Sequence, residues 1–308
     1  MSLHRLCRLG VAFTAAALVA LTACGGGGSG GSDPESSEGG AKGKLPKVEK
    51  VQSIADAVPA EIRKKGSMTV VMSTSSVPAH FETDSGMKGV DPDLAVLLGK
   101  VMGLKVDVKG VPLDGIIPGL QAKRYDVVLS QFSPTADRAK AVDFVNYAQS
   151  GTSLGVAKGN PKKLDVKNLC GATIGVQKGS FQSVEVIPDI DKRCKKQGEK
   201  PVQMKTFRDS SASLLALNSS RVDGLLLDSP VLGYAVKQSK GKIEAAGTIN
   251  PNPVAIGSVK GSGMEKPIQQ ALEHLKKDGA YDKVFARWGL QETTLDEGEF
   301  KINEIQAG

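Results

Sequence analysis

The sequence predicts an α/β protein made of two doubly wound lobes. Short β-branched apolar runs alternate with stretches of helical periodicity, and the alternation stops near Ser150 and then restarts with the same rhythm. With 308 residues the chain is long enough for two domains with cores of their own. Strands that alternate with helices need crossovers, so each sheet should be mostly parallel.

Ile54, Val58 and Ile62 stand at helical spacing and predict a short helix within Val48 to Lys65. Met68 to Met72 reads as the first strand. Asp91-Pro92 offers an N-cap and a proline at the first helical position, and Leu94, Leu97, Leu98 and Val101 follow as one apolar face. Val106 to Val108 is a strand, Ile116 to Ala122 a helix and Tyr125 to Leu129 a buried strand. The second round runs through Thr173 to Val176 (strand), Ser180 to Ile187 (helix), Val202 to Met204 (strand) and Ser210 to Asn218 (helix). Leu225 to Leu227 is then a strand, and Ser229-Pro230 begins a helix. Strands at Ile243 to Ala246 and Ile256 to Val259 and helices at Met264 to Lys277 and Tyr281 to Trp288 finish the chain.

The N-terminal end carries an address. Arg5 and Arg8 precede an apolar stretch from Leu9 to Leu21, which is too short for a permanent membrane helix and has the length of a signal-peptide core. Leu21-Thr22-Ala23-Cys24 resembles the lipobox of bacterial lipoproteins. The resemblance implies cleavage of residues 1–23 and acylation of Cys24, which would anchor the protein to the outer face of the cell membrane. An ordinary secreted protein is the competing reading. The Gly- and Ser-rich segment 24–47 is expected to be a flexible tether.

The formal charge of +7 falls to about +5 once the signal is gone. Lysines are scattered, and no basic run is interleaved with aromatics, which argues against nucleic-acid binding. Of the four cysteines, Cys170 and Cys194 remain together in an oxidising compartment and are expected to form a disulfide; two free thiols or half of a metal site are the alternatives. No metal-ligand cluster, nucleotide motif or nucleophile elbow is evident, so neither metal nor cofactor is expected.

Three constellations carry chemistry. Ser130-Gln131-Phe132-Ser133-Pro134-Thr135-Ala136-Asp137-Arg138 lies just beyond a strand's carboxyl end, where open α/β sheets bind ligands. The Ser133 and Thr135 hydroxyls, the Arg138 guanidinium and the free N–H groups of a helix start would together attract a carboxylate. Alternatively, Arg138 is a surface residue paired with Asp137 or Asp143. Gly175-Val176-Gln177-Lys178-Gly179-Ser180 holds the equivalent place in the second lobe and could equally be a plain tight turn. Asp228, directly after a buried strand, could accept from an ammonium or merely cap the next helix. A cation in one lobe and an anion in the other match the two ends of a zwitterion.

From about Gly66 to Gly289 the chain resembles the family-3 solute-binding proteins, the polar amino-acid receptors of ABC importers. The resemblance rests on Gly89-Val90-Asp91-Pro92-Asp93-Leu94, Asp114-Gly115-Ile116-Ile117-Pro118-Gly119-Leu120 and Thr135-Ala136-Asp137-Arg138. It continues in Val176-Gln177-Lys178-Gly179-Ser180, Asp228-Ser229-Pro230 and Asp278-Gly279-Ala280-Tyr281. It implies a type II periplasmic-binding-protein (Venus-flytrap) fold, with lobe one over 48–151 and 257–308, lobe two over 152–256, and two crossing strands between them. It further implies that Arg138 and Ser133 hold a carboxylate, Asp228 holds an α-ammonium, and Gly179 and Ser180 add contacts. The chain departs from the family where an aromatic pair usually flanks the solute: Ser76 or Val77 stands in one place and Leu113 in the other. Ser130, Gln131 and Phe132 complete the expected wall, with Phe132 a possible substitute stacking surface.

The expected function is a monomeric, non-enzymatic receptor that closes on an amino acid or similar zwitterion and delivers it to an ABC permease. A dehydratase-like enzyme of the same fold, with His80 or Glu82 as its acid, and a solute sensor are the alternatives. His80 is read as a partly exposed loop residue.

Overall fold

The computed structural model describes residues 41–305, without the side chains of 250 and 251. The expected signal peptide, Cys24 and most of the expected tether lie outside the described residues. The end of the tether is docked: Lys42 N–H donates to the Arg287 carbonyl at 2.8 Å, the Arg287 guanidinium donates to the Gly43 carbonyl, and Ala41 is buried.

An eight-stranded sheet organises the chain. Its strands are β1 (Ser67–Met72), β5 (Lys105–Gly110), β6 (Val127–Phe132), β7 (Val142–Ala157), β8 (Thr173–Gln177), β9 (Gln203–Phe207), β10 (Gly224–Asp228) and β11 (Ile243–Val259). The order is β5-β1-β6-β11-β7-β10-β8-β9. β5, β1 and β6 are parallel to one another, as are β10, β8 and β9. The 16-residue β7 and 17-residue β11 pair antiparallel along their length and join the two parallel sets. β11 runs unbroken where the sequence predicted two strands, because pairing with β7 carries it through the intervening polar residues. A small antiparallel sheet, β2 (Ser75–Ser76), β3 (His80–Thr83) and β4 (Gly86–Lys88), projects from the first half.

Nine helices cover the sheet among the described residues: α1 (Gln52–Ala57), α2 (Ala60–Lys65), α3 (Val90–Met102), α4 (Ile116–Gln121), α5 (Ile187–Lys196), α6 (Ser210–Asn218), α7 (Ser229–Gln238), α8 (Glu265–Lys277) and α9 (Ala280–Arg287). None is long and apolar enough to cross a membrane. The single helix expected over Val48 to Lys65 is two, broken at Val58-Pro59 because proline removes an amide donor and disfavours helix in the residue before it. Leu94, Leu97, Leu98 and Val101 of α3 are fully buried and pack with Met68, Val70, Ile268, Leu272 and Phe285 in the larger core. The second half has its own cores, around Ile174, Ile187, Ile190 and Cys194 on one face and Leu217, Leu225 and Leu232 on the other. Cys170 and Cys194 form the disulfide, which ties the approach to β8 to α5.

Asp91 does not cap α3. Gly89, with φ of +130°, takes that place, since a Cβ there would strike the Ala79 carbonyl. Asp91 is the second residue of α3, wholly buried, and is free for another role. Where β7 and β11 pair, Gly151 allows close approach: a Cβ would lie 2.8 Å from the Ile249 carbonyl oxygen and 2.9 Å from Ser229 Oγ.

Candidate functional site

Four strands, two from each parallel set, aim their carboxyl ends at one point between the halves. Ser73 follows β1, Ser130 to Phe132 end β6, Gln177 ends β8 and Asp228 ends β10. These residues enclose a cavity of about 20 Å³, to which Ser76, Leu113 and Arg138 contribute from the first half and Ser180, Phe181, Gln182 and Ser210 from the second. The volume is close to that of one water molecule. The halves are thus drawn together, and contacts cross the gap: Ser75 Oγ to Ser211 Oγ at 2.6 Å, Ser76 Oγ to Ser210 Oγ at 3.3 Å and Lys178 Nζ to Asp114 at 2.8 Å. A larger groove, about 750 Å³, borders β7 and α7, but its charged residues Lys42, Lys237 and Glu292 are all exposed. A half-buried cation and a half-buried anion, Arg138 and Asp228, share the wall of the small cavity.

Arg138 is the cation of that cavity. Its Nη1 donates to the Ser133 carbonyl and its Nη2 to the Gly179 carbonyl across the gap, both at 2.8 Å. The guanidinium carbon lies 3.8 Å from the centre of the Phe132 ring, whose face is electron-rich. Enclosure pushes the Arg138 pKa down to about 10, with Asp228 and Glu185 pulling the other way. No ion pair with Asp137 or Asp143 forms: Asp137 holds Lys140, and Asp143 accepts from Gly261 N–H and Asn303. The helix expected at this turn is only a single 3-10 turn, Arg138–Lys140, so there is no helix N-terminus to draw an anion. Ser133 is buried and presents its carbonyl to Arg138, while its hydroxyl accepts from Asn252 at 3.4 Å; the Thr135 hydroxyl accepts from Arg138 N–H at 3.3 Å.

Asp228 is the anion. It stands at the N-cap position of α7 without using its side chain as a cap. Its Oδ1 accepts instead from Gln182 Nε2 at 2.9 Å. Burial raises its pKa to about 6, against the opposing pull of Gln182, His80 and Arg138. Gly179, with φ of +76°, gives its carbonyl to Arg138 and sits outside the wall, and Ser180 lies in it.

A buried chain of hydrogen bonds supports the wall from behind. Gln131 Nε2 donates to Tyr147 Oη at 2.9 Å, Tyr147 Oη donates to Asp91 Oδ1 at 2.7 Å, and Asp91 Oδ2 meets His80 Nδ1 at 2.7 Å. His80 Nε2 then faces Ser73 Oγ at 2.7 Å and Ser130 Oγ at 3.3 Å. His80 is 1% exposed, which corrects its reading as a partly exposed loop residue: β3 turns it inward onto Asp91. Glu82, one of the two acid candidates, is exposed. Gln131 has φ of +48°, a left-handed backbone that non-glycine residues seldom adopt.

Ser73, Phe181, Gln182 and Ser210 were not anticipated, and Gln177 fell within the Gly175 to Ser180 constellation without a role of its own. The strand-end rule applied to Met68 to Met72 would have pointed to Ser73. Nothing local marks Gln182, whose amide meets Asp228 across 46 residues of chain. Among the described residues no group of three or more potential metal ligands occurs.

Two parallel sheet sets joined by two long strands, with opposed half-buried charges between them, define a two-lobed binding fold. The chain belongs to the bacterial extracellular solute-binding proteins, family 3, whose model matches residues 68–291. An arginine-binding protein of Corynebacterium glutamicum, ArgT, is 28% identical over 249 residues, covering 80% of this chain and 81% of that protein. An L-cystine-binding protein of Escherichia coli, TcyJ, is 25% identical over 233 residues, with 74% and 84% covered. Among solved structures, an ancestral arginine-binding protein bound to arginine is 34% identical with a TM-score of 0.66, covering 73% of this chain and 98% of its own. An ancestral amino acid-binding protein described as a precursor of cyclohexadienyl dehydratase is 28% identical with a TM-score of 0.63, covering 74% and 97%.

Proposed function

We propose that this protein is a lipid-anchored receptor that closes on an amino acid and delivers it to an ABC permease. The observation that carries the reading is the placement of Arg138 and Asp228, both half-buried, in the wall of one cavity without a hydrogen bond between them, a cation and an anion set to receive the carboxylate and ammonium of a zwitterion. Arg138 keeps donors beyond the two it spends on carbonyls. In a closed cavity each charge acts in a medium of low polarity, so a solute lacking either group would leave a buried charge unmatched. The relatives named for arginine and L-cystine support an amino-acid ligand.

Closure is a hinge motion of lobe two, 152–256, against 48–151 with 257–308, in which β7 and β11 bend and the contacts of Ser75, Ser76 and Lys178 form last. The closed outer surface is what a permease reads, and Cys24 keeps the receptor beside it. No chemistry on the solute is required. Calorimetric titration with the twenty amino acids tests the reading: binding of at least one, lost in Arg138→Ala, is expected. Binding of none, with turnover of a carboxylated cyclohexadienol instead, would replace it with an enzyme.

A further inference from the structure

Thr152 and Asp228 are direct partners in the antiparallel ladder of β7 and β10, so their side chains leave the sheet on one face, side by side. Gln182 bridges them: its Nε2 donates to Asp228 Oδ1 at 2.9 Å and to Thr152 Oγ1 at 3.1 Å. Gln182 and Thr152 are both buried, at 4% and 2% exposure. An ionised carboxylate only accepts, so the amide has to turn its NH2 group this way, and the two acceptors take up both of its protons.

The backbone that delivers Gln182 is unusual as well. Gln182 opens a single π-helical turn, Gln182–Val186, ahead of α5; such turns are rare and recur beside functional groups. Ser180 fastens the start of the turn, its hydroxyl accepting from Ser183 N–H at 3.3 Å and its carbonyl from Ser183 Oγ at 2.8 Å.

Among the described residues, the bond from Gln182 is the one hydrogen bond that the Asp228 carboxylate accepts, which leaves Oδ2 for a further donor. A hydrogen bond to the charged form favours that form, and here it opposes the burial that raises the Asp228 pKa to about 6. The ionisable groups that bear on Asp228 from other elements are Arg138 and His80, which favour the carboxylate, and Asp91, which disfavours it.

We propose that Gln182 is the positioning residue of Asp228: it ties Oδ1 to the crossing strand β7 through Thr152 and so reserves Oδ2, held in place, for the ammonium of the solute. The proposal rests on the reading of Asp228 as the partner of that ammonium.

Two measurements test it on the full chain, freed of co-purified solute by unfolding and refolding with the disulfide intact. Carbon-13 NMR of the Asp228 carboxyl follows its titration without solute. Calorimetry from pH 5 to 8, with the tightest-binding of the twenty amino acids, follows affinity. In the parent both midpoints are expected at about 6. Gln182→Met, close in volume and without a donor, is expected to move both up by about one pH unit, a tenfold stronger hold on the proton. Thr152→Val should move them the same way by less, and Thr152→Ser, which keeps a hydroxyl, should bring them back. Should Gln182→Met not fold, the two Thr152 variants decide. Affinity lowered evenly across the range with both midpoints unmoved would make Gln182 a packing residue, which overturns the proposal and leaves the amino-acid receptor standing. Binding of none of the twenty by the parent overturns the receptor reading and the proposal with it.

Discussion

The Arg138 guanidinium carbon lies 3.8 Å from the centre of the Phe132 ring, while two of its N–H groups reach carbonyls on opposite sides of the gap. The ring and the two carbonyls together hold the guanidinium, whose fixed fork leaves further N–H groups to donate. Planarity is what makes this possible, and a lysine has none.

Arg138→Lys should therefore bind solute nearly as poorly as Arg138→Ala. Each is expected to weaken affinity by about 2–5 kcal/mol, the usual result of removing one member of a buried, hydrogen-bonded charge pair. Calorimetry on both variants checks this, and a lysine variant within threefold of the parent would show that charge alone suffices.

The pH response follows from Asp228. Burial raises its pKa from the usual carboxylate range to about 6, so the solute-free folded chain binds this proton more tightly than the unfolded chain does. The resulting stabilisation is complete below the unfolded value near 3.8 and is lost as pH rises through about 6. Solute affinity moves the opposite way, since an ammonium needs the carboxylate. Between pH 7.5 and 5 affinity should fall while this contribution to stability grows. Asp228→Asn should flatten both trends, as measured by calorimetry and thermal unfolding across that range.

Reducing the Cys170–Cys194 disulfide frees a loop spanning a sequence separation of 24 residues. The unfolded chain gains entropy worth about 3 kcal/mol, which corresponds to a fall in melting temperature of roughly 6 to 12 °C. Neither cysteine lines the cavity, so affinity at 25 °C should not change. Scanning calorimetry with and without reductant gives the first quantity and titration the second.

Gly151→Ala places a methyl against the Ile249 carbonyl and Ser229 Oγ, at 2.8 and 2.9 Å. Relief requires β7 and β11 to part where they join the halves. The variant should remain folded and show a larger radius of gyration in saturating solute than the parent. Small-angle scattering measures the difference, and identical curves would mean that the strands accommodate the methyl without opening.

Much of the fold was legible because its signals are local. The helix at Ser210 to Asn218 was read to the residue, and the alternation of strands and helices placed Arg138 and Asp228 beside strand ends. What escaped depends on contacts between distant segments. Asp91-Pro92 carries a local capping signal, yet Gly89 caps the helix because only glycine fits beneath Ala79. His80 belongs to a short strand without periodicity, and its burial is decided by Asp91, Ser73 and Ser130, which no spacing rule connects. The unbroken β11 is likewise a product of pairing, with β7 supplying the partners its own residues do not advertise.

In the proposed closure, the docking of Lys42 and Gly43 on Arg287 would hold the first half while the other swings. Arg287 Nε and Trp288 Nε1 both donate to Asp93 in α3, so any pull arriving through the N-terminal segment passes into the core of the first half. On that reading the first half would be the stator, and the other, whose main-chain link to it is β7 and β11, would be the arm that travels.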